Sequence, residues 1–70
     1  MNLVFNAVTR DGHEELKSKL DIQKIKHKVI DNDSFKIGFK VTKKDANDFQ
    51  MNLANNVMGA GIPGSFYVED

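Results

Sequence analysis

The sequence predicts an α+β two-layer sandwich with the element order β-α-β-β-α-β, two helices on one face of a four-stranded antiparallel sheet. Three observations lead there. Two segments, 24–30 and 34–41, alternate apolar and polar residues with the period of a half-buried strand. Two others, 11–20 and 42–58, carry apolar residues at helical spacing behind capping residues. A short apolar strand pattern stands at each end of the chain.

The first strand is expected over Asn2–Val8, with Leu3, Phe5 and Ala7 on one face and Val4, Asn6 and Val8 on the other. Apolar residues on both faces mark it as central. Asp11, with Glu14 three residues on, makes a capping-box pattern for a first helix running to about Leu20. That helix buries Leu16 and Leu20 and has His13 at the edge of the stripe. The second strand is expected over Lys24–Ile30, where Ile25, His27 and Val29 alternate with Lys24, Lys26 and Lys28. The third covers Ser34–Val41, with Phe35, Ile37, Phe39 and Val41 opposed to Lys36, Gly38 and Lys40. Asp31-Asn32-Asp33 supplies turn chemistry, and matching the two apolar faces calls for a three-residue turn or a bulge. Thr42 and Asp45 form a second capping box, opening a helix through about Met58 with Ala46, Phe49, Leu53 and Val57 inward. Gly59 is the expected C-cap, and Pro63 forbids continuation. Ser65–Glu69 closes the set, with Phe66 and Val68 inward and Tyr67 outward.

Two helix-linked strand pairs around a hairpin define the ferredoxin-like arrangement, with sheet order 4-1-3-2 and right-handed crossovers. Seventy residues make a single domain, 1–70. A domain this small buries only roughly 60% of its unfolded surface, which makes self-association a natural support. There is no cysteine, so disulfides, thiolate metal sites and thiol chemistry are excluded, and two histidines are too few for a metal centre. No metal and no cofactor are expected.

Ten basic and ten acidic side chains cancel, which argues against a role carried by overall charge. No apolar run is long enough to span a membrane, and the N-terminus lacks a signal-peptide pattern, so the expected location is cytoplasmic. Abundant asparagine and the excess of lysine over arginine suit an AT-rich genome, bacterial or phage. The asparagine-rich face of the second helix is assigned no role.

The lysines are the distinctive feature. Lys24, Lys26, Lys28, Lys36 and Lys40 are expected on the open face of the sheet, with Val4, Val8, Ile30 and Tyr67 among them. The first expectation is a non-enzymatic protein-binding or regulatory module using that face, with a homodimer as one form of the partner. The alternative is single-stranded nucleic-acid binding, since sheets of this kind stack bases on aromatics of the central strands. Those central positions here are Val4, Asn6, Lys36, Gly38 and Lys40, none aromatic. Lysines on an edge strand also deter edge-to-edge aggregation.

Thr9-Arg10-Asp11-Gly12, ahead of a helix N-terminus, is a candidate ligand loop through Arg10 and Gly12. Together with Ile62-Pro63-Gly64, the Asp11-Gly12 turn resembles small regulatory domains of the ACT type. That resemblance implies a small ligand such as an amino acid bound near the first-strand glycine; it is an analogy of fold. Gly59–Gly64 is not a phosphate-binding loop, because no Lys-Ser/Thr follows and a strand comes next. Carboxylates are scattered over helix starts and turns, and Arg10 alone makes no phosphate cradle, so no catalytic residue is assigned.

Overall fold

The computed structural model describes residues 1–69 and has the order β1 (Asn2–Ala7), α1 (Arg10–Ile22), β2 (Lys28–Asp31), β3 (Lys36–Lys40), α2 (Ala46–Gly59), β4 (Gly64–Glu69). The strands form one antiparallel sheet in the order β2-β3-β1-β4, which is the ferredoxin-like arrangement. Leu3, Phe5, Ile37 and Phe39 from the central strands meet Leu16, Leu20, Leu53 and Val57 from the helices in one core.

Hydrogen bonding alternates along β1. Ala7 donates its N–H to Phe35 O at 2.9 Å, and Val8 donates to Pro63 O at 3.0 Å. Antiparallel pairs bond at every second residue, so odd residues of β1 serve β3 and even residues serve β4.

Several boundaries differ from the sequence expectation. Thr9, not Asp11, caps α1: its backbone is extended and its hydroxyl accepts the Gly12 N–H at 3.1 Å. The helix runs on to Ile22 and ends in a Schellman turn, in which Ile25 N–H reaches Leu20 O and Lys24 N–H reaches Asp21 O. Lys24 is the left-handed residue of that turn, with φ 57°. The chain therefore enters the sheet only at Lys28, and Lys24 and Lys26 precede the strand expected to hold them. The inside–outside alternation still holds there: Ile25 packs on the core and His27 is half-buried.

The hairpin loop has four residues, Asn32–Phe35, with a bulge that places Asp31 opposite Lys36. It lengthens because the Asp31 carboxylate gathers Asp33 N–H, Ser34 N–H and Ser34 Oγ–H at 2.8–3.2 Å in an Asx turn. Phe35 thus lies in the loop rather than in β3, in the left-handed region at φ 63°. Thr42 and Asp45 do bond side chain to side chain at 3.0 Å, but they close a turn ahead of α2. Gly61, at φ 70°, takes the left-handed position expected of Gly59, while Ile62 N–H returns to Val57 O. Val68, expected inward, is 49% exposed because β4 is an edge strand.

Candidate functional site

The open face is built from alternate residues of the four strands. Lys28 pairs with Gly38, Gly38 with Val4, and Val4 with Tyr67. Gly38 leaves a gap in this row, and the Ile30 side chain fills it: a Cβ on Gly38 would stand 2.7 Å from Ile30 Cδ1. Outward-facing Val4, paired with Gly38 on one side and Tyr67 on the other, is fully buried. Ile30 itself stays 41% exposed and forms the apolar centre of the face.

Lysines surround this centre. Lys36 Nζ lies 6.0 Å from the centroid of the Tyr67 ring, at the outer limit of a cation–π contact. Lys26, Lys28 and Lys40 line a concavity of about 790 Å³ whose other walls include Asn2, His27, Ile30, Gly38 and Glu69. Its charge is unbalanced toward positive, three ammonium groups against one carboxylate. His27 is oriented at the rim: its Nδ1–H donates to Ile25 O at 2.8 Å, leaving Nε2 3.8 Å from Asp21 Oδ1. Of the expected face residues, Lys28, Lys36, Lys40 and Tyr67 are together on the sheet, Lys26 joins them from the preceding loop, and Lys24 belongs to the α1 stop. The part sequence reasoning missed is Gly38 as the floor, for which a glycine at an outward central-strand position between two lysines was the available signal.

Arg10–Gly12, expected to form a loop, is the first turn of α1 and is occupied by its own contacts. The Arg10 guanidinium sits 5.3 Å from the Phe35 ring centroid. The Gly12 N–H is taken by Thr9, and a Cβ at Gly12 would stand 3.0 Å from Ile62 Cγ2, so the glycine lets α1 and the α2–β4 loop approach. His13, expected at the edge of the helix stripe, is fully buried. Its ring lies 5.7 Å from that of Phe35, and Nε2–H donates to Asn32 Oδ1 at 3.3 Å, an oxygen that Lys17 Nζ also approaches at 3.4 Å. Among the described residues His13 Nδ1 has no hydrogen-bond partner.

Among the described residues no group of three His, Cys, Asp or Glu is placed to hold a metal ion, and no helix is long and apolar enough to cross a membrane. Compared with protein-family models, with curated proteins and with solved structures, the chain has no significant match to any.

Proposed function

We propose that this protein is a non-enzymatic protein-binding module of regulatory type that docks an acidic partner on its open sheet face. The observation that carries this reading is Ile30 lying over Gly38: it raises an exposed apolar centre beside Lys26, Lys28 and Lys40, with Lys36 farther along β3 over Tyr67. Apolar contact at the middle with charged groups at the rim is the anatomy of a protein interface. Lysine stems extend the apolar area while their ammonium groups select against basic partners. A nucleic-acid platform is less well served. The single outward aromatic, Tyr67, is half-buried beneath Lys36, and the central strands offer no ring on which a base can stack.

The test is an amide-resonance titration of isotopically labelled protein with two probes, a short acidic peptide bearing leucines and a short oligo-dT. Saturable shifts at Lys28, Ile30, Gly38 and Lys40 with the peptide, abolished by Ile30→Asp, are expected. No response to the peptide overturns the proposal. If oligo-dT moves the same resonances and loses affinity steeply with salt, as counterion release demands, the face is a nucleic-acid surface instead.

A further inference from the structure

The two edges of the sheet are built differently. β2 is four residues long, bulged at Ile30, opens on Lys28 and is preceded by Lys26, all features that discourage another strand from adding to it. β4 runs six residues without a bulge in its pairing to β1 and contains no lysine and no proline. Because even residues of β1 bond β4, the backbone groups of Ser65, Tyr67 and Glu69 are used inside the sheet. Those of Gly64, Phe66 and Val68 point outward, three N–H and three C=O groups along an open edge.

The helix flank on that side carries two exposed methionines. Gln23 Nε2 donates to Asn56 Oδ1 at 3.5 Å, which fixes the side of α2 that faces α1. Met51 and Met58 lie on the opposite flank at 100° per residue, and they are 63% and 77% exposed. The α2 crossover passes over β1 on its way from β3 to β4, so this flank stands on the β4 side of the helix layer.

We propose that the β4 edge is completed by β4 of a second copy, antiparallel about a two-fold axis at Phe66, to give a continuous eight-stranded sheet. In that register Phe66 opposes Phe66 of the second copy, Gly64 opposes Val68, and Ser65 opposes Tyr67. Every outward N–H and C=O of the three residues finds a partner. No like charges meet, since Glu69 falls opposite Pro63. The two α2 helices lie on the same side of the joined sheet, and their Met51 and Met58 flanks face each other across the axis. A stable dimer needs about 800 Å² from each partner, about a sixth of the 4730 Å² surface, so the joined edges must be backed by the α2 flanks. The chain's zero formal net charge adds no long-range repulsion between copies. This interface leaves the open face free, so it stands or falls separately from the docking reading above.

The experiment combines light scattering over a concentration series with amide hydrogen exchange. Wild type is expected to double from the 7.9 kDa of one chain, and the Phe66 and Val68 amides, which point outward from the β1–β4 pairing, are expected to gain protection as concentration rises. Val68→Pro removes an outward N–H without touching the β1–β4 bonds, and Met58→Lys places a charge at the helix flank. Each is expected to weaken self-association at least tenfold, and Met58→Lys alone carries the test if the proline variant does not fold. A monomer at every concentration overturns the proposal and leaves the edge to a strand from another protein. A dimer that survives both variants, with Phe66 and Val68 exchanging as in the monomer, overturns it in favour of another face.

Discussion

The Ile30 side chain lies across Gly38 so closely that a Cβ there would come within 2.7 Å of Cδ1 and 3.2 Å of Cγ1. The two residues therefore behave as one packing unit. Gly38→Ala forces Ile30 aside, whereas in an Ile30→Ala background the added methyl enters free space. A double-mutant cycle by urea denaturation is expected to give a coupling of about 1 kcal/mol, within the range for residues in contact. Additive effects would mean that the Ile30–Gly38 contact is not formed in solution.

Gly64 is constrained from the other side of the sheet. A Cβ there would stand 2.4 Å from Phe5 Cζ and 2.6 Å from the Asn6 carbonyl oxygen. Neither can yield, since Phe5 is fully buried against Phe66 and the carbonyl belongs to a central strand. Gly64→Ala is expected to destabilise by about 2 kcal/mol, as overpacking does, measured as a lower urea midpoint at unchanged slope.

The two Schellman turns offer a matched comparison. Gly61 occupies the left-handed position after α2, and Lys24 occupies it after α1. A residue bearing a Cβ is disfavoured there by about 1–2 kcal/mol, partly offset by the greater chain entropy that glycine loses on folding. Lys24→Gly is expected to stabilise by about 0.5–1 kcal/mol, raising Tm by roughly 2–8 °C. Gly61→Ala is expected to lower Tm by a similar amount. An unchanged Tm in Lys24→Gly would show that the α1 stop is not held in this conformation.

Asp31 links the hairpin to pH. Hydrogen bonds from Asp33 N–H, then Ser34 N–H and the Ser34 hydroxyl, hold its carboxyl below the ordinary 3.8, with Lys36 adding in the same direction. The folded state therefore binds this proton less readily than the unfolded chain. The resulting stability is present above the unfolded value and lost as pH falls through the folded one. A carboxyl-carbon titration is expected to place the Asp31 midpoint below 3.8. Asp31→Asn is expected to destabilise at neutral pH and to converge on wild type in acid. A constant difference across that range would assign the effect to geometry instead of charge.

Much of this architecture is legible in local patterns because it depends on them. Strict alternation in Val29–Ile30 and Lys36–Lys40 identifies faces, since successive strand residues point to opposite sides. The left-handed stops need no knowledge of tertiary partners when glycine supplies them, as at Gly61. Where a different residue fills the position, the local signal misleads. Lys24–His27 alternates like a strand, yet Leu20 O must receive Ile25 N–H to close α1, and that bond keeps the chain out of the sheet until Lys28. Thr9 outcompeted Asp11 as cap because the helix begins two residues earlier than the expected cap, at a residue whose backbone leaves the strand still extended.

The sequence by itself determined the element order, the sheet order that follows from right-handed crossovers, and the lysine-bearing side of the sheet. These are properties of short-range periodicity and chain connectivity. Only the tertiary structure decided which groups lie buried and which remain free. It buried outward-facing Val4, laid Ile30 over Gly38, enclosed His13 beside Phe35, and left Val68, Met51 and Met58 exposed. Burial is a relation between residues far apart in the chain, set by how a bulge, a loop of one extra residue and a helix flank come to rest against one another.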